Sequence, residues 1–208
     1  AQNLTGYRNL VKLVSLGFME GYYYKPRVDK EILTQYSEGI IALSACMAGE
    51  IPRLLMSDQT DGWLVEDKDG GMGAGGREAA LRAVEEYSRI FPGRFYLEIQ
   101  DNGLAKQTIL NERLIDLAKE TGLPLVATND CHYLTADDVN AHDILLCIQT
   151  RSTIHDPNRM VFDTRELYYK SPEEMNTAFA HVPEALENSL VIAEACNLEL
   201  DLKSYHFP

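Results

Sequence analysis

Residues 123–150 read LPLVATNDCHYLTADDVNAHDILLCIQT, and the fold class turns on their first third. Leu125-Val126-Ala127-Thr128 is a short apolar run, too brief for a helix and suited to a buried strand. Gly122 and Pro124 stand just before it and end an amphipathic helix predicted over Thr108 to Thr121. The polar stretch Asn129-Asp130-Cys131-His132 follows. A second helix is predicted from Ala136 to Ile148.

The same alternation repeats toward the N-terminus. Phe95 to Ile99 is predicted as a strand and Arg77 to Ile90 as a helix. Glu50 to Met56 has a helical pattern behind a third apolar run, Ile40-Ile41-Ala42-Leu43. The opening segment, Thr5 to Val14, gives a helix with Leu10, Leu13 and Val14 on one face and Thr5 as N-cap. Short strands, apolar on both faces and separated by helices, are the pattern of parallel βαβ units. After residue 150 the pattern changes. Ser171 caps a helix with Pro172 at its first position, and Pro183 opens another over Glu184 to Cys196. These helices are expected to pack outside the sheet. Three parallel strands cannot close a barrel, so the expectation is an α/β chain: a small open sheet, or part of a barrel whose first strands lie upstream. The absence of an initiator methionine and the abrupt end at Pro208 fit a fragment.

Composition bounds the function. With 45% hydrophobic residues the chain can bury a core. It has no apolar run long enough for a bilayer span and no secretory leader, so a soluble, cytoplasmic chain with no membrane partner is expected. The formal net charge of −13 is the wrong sign for a domain that grips phosphate backbones unaided. Cys46, Cys131, Cys147 and Cys196 are widely spaced and form no CxxC pair, so neither a zinc ribbon nor a disulfide framework is indicated and reduced thiols fit best. Residues 57–76, rich in Asp and Gly, lack both the preceding strand and the GK[ST] of a phosphate cradle. They read as a surface loop.

The residues with chemistry sit where strands run out, which is where α/β folds bind ligands. Alternation along an extended chain would turn Asp130 and His132 to one side. A carboxylate beside an imidazole makes half a site for a divalent metal such as zinc or manganese. Capping of a turn by Asp130 and packing of His132 explain the same pair. Cys46 follows the first strand, and its thiol could approach them if the strands share a sheet; a small residue in a strand-to-helix turn is the plainer account. Glu98, inside an apolar strand, must face solvent, a cation or a site. His142 could steady the metal loop by a hydrogen bond, though capping and packing would also place it there.

Six stretches together resemble the DNA polymerase III alpha subunit family of bacteria: Thr5–Ser15 (TGYRNLVKLVS), Leu43–Leu55 (LSACMAGEIPRLL), Phe95–Ile99, Leu123–Thr150, Pro157–Met175 and Pro183–Leu200. The resemblance leaves out mainly 57–76, which then looks like a local insertion. It implies a PHP domain, a distorted (βα) barrel with parallel strands that carries metal ions. Residues 1–150 would be its later part and 151–208 a helical extension toward polymerase domains. The positions matching the family's ligands are Cys46, Asp130 and His132; a His-x-His pair would lie upstream. The resemblance further implies zinc or manganese at this site, 3′–5′ exonuclease proofreading or structural support of the polymerase, and DNA, dNTPs and other replisome subunits as partners. Magnesium would serve a polymerase site downstream of Pro208, so the fragment alone should not polymerise DNA. A catalytically silent scaffold is the alternative within the family. A free-standing PHP-superfamily phosphatase is another, against which residues 157–208 argue.

Overall fold

The computed structural model describes residues 1–57 and 76–204; the predicted insertion falls almost wholly outside them. Among the described residues eight α-helices surround three strands: α1 (Leu4–Met19), α2 (Lys30–Gln35), β1 (Ala42–Leu43), α3 (Glu50–Leu55), α4 (Arg77–Ile90), β2 (Phe95–Gln100), α5 (Ala105–Thr121), β3 (Leu125–Thr128), α6 (Val139–Thr150), α7 (Pro172–Ala178) and α8 (Pro183–Ala195). The strands form one parallel sheet in the order β1-β2-β3. The fold is thus mixed α/β as expected, with an open sheet and no barrel closure among these residues.

Register decides what each face of the sheet does. Leu97 pairs with Leu125 and Ile99 with Ala127, so these side chains share one face with Phe95. That face is dry: Leu97 and Ile99 are fully buried. It packs beneath α5, whose Leu110, Leu114 and Leu117 are likewise buried, and α3 packs against both α4 and α5. The α7–α8 corner adds Phe179, Val182 and Ala185 to the same core. Asn188 on α8 ties the layers by donating Nδ2–H to the Leu125 carbonyl at 2.8 Å. The opposite face carries Leu43, Tyr96, Glu98, Gln100, Val126 and Thr128. The expectation of strands apolar on both faces therefore fails for β2, where every second side chain is polar or aromatic.

Local signals worked where the partner was close in sequence. Ser171 accepts from the Glu174 N–H and Glu174 from the Ser171 N–H, a closed capping box ahead of Pro172. At α1 the cap is Asn3, not Thr5: Asn3 Oδ1 accepts from the Gly6 N–H at 3.0 Å and the helix starts two residues earlier than predicted. Of the predicted apolar face of α1, only Leu13 is buried; Leu10 and Val14 are exposed. The seat of α1 is instead Gly6, where a Cβ would fall 1.8 Å from the Gly39 carbonyl oxygen, so glycine alone permits the contact. The first strand is also shorter than predicted. Ile40 and Ile41 precede the ladder, whose bonds run from the Ala42 N–H to Arg94 and from the Ser44 N–H to Tyr96. No helix among the described residues is long and apolar enough to cross a membrane.

One charged cluster fastens three helices. Lys30 on α2 donates to Glu50 of α3 at 2.7 Å and to Glu86 of α4 at 2.6 Å. The Tyr87 hydroxyl donates to the other Glu50 oxygen at 2.8 Å while its ring stacks on Phe95. Burial first, then the Glu50 hydrogen bond and charge, push the Tyr87 pKa up to about 12 from an ordinary 10.0. The raised value lies on the deprotonation side, so this contribution is intact below pH 10 and is lost as pH rises toward 12. Tyr87→Phe is expected to flatten the decline of the unfolding midpoint across that interval, measured by urea denaturation at stepped pH; an identical pH profile would contradict the assignment.

Candidate metal centre at the strand ends

The turn after β1 is set by Ser44. Its N–H bonds Tyr96 in the ladder, and its hydroxyl accepts from the Glu98 N–H at 2.8 Å, extending the β1–β2 seam past the last paired residue. Ala45 then takes φ +65°, and the Gly49 N–H closes the turn on the Cys46 carbonyl at 2.8 Å. Cys46 is left half-buried just before α3.

On the neighbouring strands the mixed face ends in a hydrogen-bonded row. Thr128 Oγ donates to Glu98 Oε1 at 2.5 Å, and Gln100 Nε2 donates to Thr128 Oγ at 3.1 Å and Glu98 Oε1 at 3.3 Å. Gln100 Oε1 is buried and meets no donor among the described residues. Glu98 therefore faces this row rather than solvent. One turn further, Asn102, 2% exposed, donates Nδ2–H to Asp130 Oδ2 at 3.1 Å and accepts from the Leu104 N–H. Its own carbonyl accepts from Thr164 Oγ at 2.5 Å.

Asp130 and His132 do meet, but not by strand alternation. β3 ends at Thr128. Asn129 is taken up by Lys170, whose N–H it accepts at 3.1 Å, and Asp130 turns into the left-handed region at φ +50°. The turn returns His132 onto Asp130, with Nδ1 3.0 Å from the Asp130 carbonyl oxygen and 3.9 Å from Oδ1. The His132 N–H is held by the Leu167 carbonyl at 2.8 Å. The side chains are partly open, Asp130 at 20% and His132 at 33% exposure.

Behind His132 lies an aromatic layer. The His142 ring on α6 packs edge-on at 5.6 Å between centroids, and Phe162 lies 5.1 Å from His132 and 5.7 Å from His142. Burial, reinforced by His132, holds the His142 pKa below its usual range. The next residue, Asp143, makes a two-pronged pair with Arg159 at 2.5 and 2.8 Å, and this pairing pulls its carboxyl down. A cavity of about 280 Å³ opens beside this layer, between Tyr133, Asn140, His142, Phe162 and Arg165.

A thiol beside a carboxylate and an imidazole favours zinc or another thiophilic metal, whereas the carboxylate and imidazole without the thiol also suit manganese. The placement is less complete. β2 stands between β1 and β3, which sets the Cys46 turn about 10 Å, two strand spacings, from the Asp130 turn. Among the described residues no three His, Cys, Asp or Glu side chains converge on one point that could hold a metal ion. Asp130 and His132 alone are a pair of donors, short of a closed site.

Sequence reasoning passed over Gln100, Asn102, Thr128 and Lys170. The run Gln100-Asp101-Asn102 directly after an apolar strand was the available signal for the first two. Lys170 gave none: its amine is buried, donating to the Glu166 carbonyl at 2.5 Å and lying 4.6 Å over the Tyr168 ring. Asn102→Ala removes the donor to Asp130 Oδ2 and the acceptor for Leu104. It is expected to lower the unfolding free energy by about 1–3 kcal/mol; an unchanged urea midpoint would show that the bridge carries no weight.

Comparison with known proteins supplies the kinship. Residues 1–102 match the PHP domain family, a span that takes in Cys46, Glu98 and Asn102 and ends before Asp130 and His132. The DNA polymerase III subunit alpha of Borreliella burgdorferi is 43% identical over 197 residues, which is 95% of this chain and 16% of that protein. The subunit of Helicobacter pylori strain J99 is 42% identical over 98% of the chain and 16% of its own length, and that of Thermus aquaticus 40% identical over 97% and 15%. The chain therefore spans about a sixth of these relatives, and it belongs to the PHP-domain region of the DNA polymerase III alpha subunit family.

Proposed function

We propose that this chain is part of a replicative DNA-directed DNA polymerase, as the PHP region of its alpha subunit. The observation that carries the reading is about 40% identity across 95–98% of the chain to alpha subunits from several bacteria. DNA, dNTPs and other replisome subunits are then its partners through the whole polymerase, in the cytoplasm, with magnesium at a polymerase site outside this chain. The sheet becomes one arc of a distorted (βα) barrel. The face bearing Tyr96, Glu98 and Gln100 suits the inside of such a barrel, since α5 and the α7–α8 corner cover the other. Residues 151–208 form the extension toward the polymerase domains.

Within this reading the strand ends contribute Cys46, Asp130 and His132 to a divalent metal, zinc or manganese, whose remaining donors come from the His-x-His pair that the resemblance places upstream. Three features support it. The donors follow the C-terminal ends of strands in one parallel sheet, Asn102 fixes one Asp130 oxygen, and the buried Gln100 Oε1 still has an acceptor lone pair to offer. Glu98 and His142 brace the donors, Glu98 through Thr128 and His142 through the ring of His132. A metal held there would serve 3′–5′ phosphoester cleavage in proofreading. The reading of a silent scaffold is favoured by a specific observation as well, the lack of three converging donors among the described residues.

Elemental analysis of the full-length polymerase, wild type against His132→Ala, tests the donor set. The variant is expected to lose bound zinc or manganese while primer extension persists, and unchanged metal content would sink the assignment. Metal-stimulated removal of a mismatched 3′ end separates proofreading from scaffold: its absence in a metal-loaded, extending enzyme leaves only structural support.

A further inference from the structure

Charge is distributed unevenly along this chain. Arg8, Lys12, Lys25 and Arg27 against Glu20 alone give residues 1–28 a formal +3, whereas the whole chain is −13, so residues 29–208 carry −16. All four cations are exposed, and none forms an ion pair among the described residues. The same segment holds Tyr22, Tyr23 and Tyr24, which are 59%, 50% and 82% exposed. Exposed aromatics set among cations, on a body of opposite sign, are what a single-stranded nucleic acid binds: rings stack on bases and cations meet the backbone.

The loop is built to hold those rings out. Gly21 lets the chain return against the end of α1, because a Cβ there would fall 1.9 Å from the Arg27 carbonyl oxygen. The Tyr23 N–H donates to the Lys25 carbonyl at 3.1 Å and closes a tight turn. Tyr24 at its tip takes φ +59°, a conformation rare for a ring-bearing residue, which projects it from the body. Arg27 lies over the Tyr23 ring at 4.8 Å, Tyr24 packs edge-on to Tyr23 at 4.6 Å, and Tyr22 stacks with Phe18 of α1 at 6.4 Å. Each ring is thus braced by a neighbour while at least half of its surface stays exposed.

We infer that the turn Tyr22–Arg27 is a stacking platform for single-stranded DNA, with Tyr22 and Tyr24 receiving bases and Lys25 and Arg27 the adjoining phosphates. Paired bases are already stacked and do not present a free face, so the platform selects unpaired strand. The inference rests on the polymerase reading only for which nucleic acid the segment meets.

The test uses the full-length polymerase and a single-stranded oligothymidylate carrying iododeoxyuridine, irradiated and mapped by mass spectrometry. Crosslinks are expected in the peptide bearing Tyr22–Tyr24, and far fewer with the same strand in a duplex. Tyr22→Ala with Tyr24→Ala should cut the yield there at least about fivefold, and the corresponding Phe variants should keep it. Lys25→Gln with Arg27→Gln should reduce the slope of log crosslinking against log salt by about 1.4, at about 0.7 per cation. Crosslinks confined to other segments, or a yield unmoved by the alanine variants, would overturn the platform. So would protection of Tyr22–Tyr24 from hydroxyl-radical labelling in the absence of DNA, which would mean that protein covers the face. Primer extension by the same preparation reports on the polymerase reading separately: intact extension with no crosslink removes the platform alone.

Discussion

Everything in this chain that could do chemistry depends on the parallel ladder through β2. Its two edges are hydrogen-bonded to β1 and β3, and a parallel arrangement sends all three strands out on the same side. A one-residue slip of β2 would exchange its faces. Glu98 and Gln100 would enter the layer filled by Leu110, Leu114 and Leu117, while Leu97 and Ile99 left it. Burying an unpaired carboxylate costs far more than the register change could return, so the hydrophobic pattern of six residues fixes which way the polar ends point.

From the ladder the consequences pass outward by hydrogen bonds. Register sets Gln100 beside Thr128, and the next turn carries Asn102 to Asp130. Residues 162–170 then close over the edge: Thr164 on the Asn102 carbonyl, Leu167 on the His132 N–H, and Lys170 on Asn129. Asp130 and His132 are thereby oriented by groups between 28 and 41 residues away. The chain after residue 150 is part of the scaffold of these donors as well as a neighbour of the core.

This division explains what the sequence could disclose. β2 and β3 were legible to within a residue because their apolar runs are bounded by local breakers, Gly93 before one and Pro124 before the other. The Ser171 cap ahead of Pro172 was legible for the same reason, since the N–H it serves lies three residues on. The pairing of Asp130 with His132 was legible as an association and illegible as a geometry. Alternation presumes an extended chain, and whether the chain is extended at Asp130 is decided by Leu167 and Lys170, which no local pattern announces. Cys46 exposes the same limit. Its position after a strand could be read, but the strand order that sets β2 between it and Asp130 comes from packing. Burial on α1 also escaped, because its seat is a backbone contact at Gly6 that leaves no apolar signature.

The acidity of the chain bears on how any polyanion could approach it. Residues 29–208 repel phosphate at long range, and at physiological salt that repulsion fades beyond about 8 Å. A surface that depended on phosphate contacts alone would have to overcome the field of the body with four cations. Stacking relaxes this demand, because its energy comes from apolar ring faces and is nearly independent of salt, leaving the cations only to offset local repulsion. The same reasoning applies at the strand ends, where Glu98 stands on β2 and Asp130 just past its neighbour β3: there a phosphate needs an intervening cation before it can come near. Acidic strand ends and an aromatic, basic turn are thus two different answers to one electrostatic constraint, placed on opposite signs of the same chain.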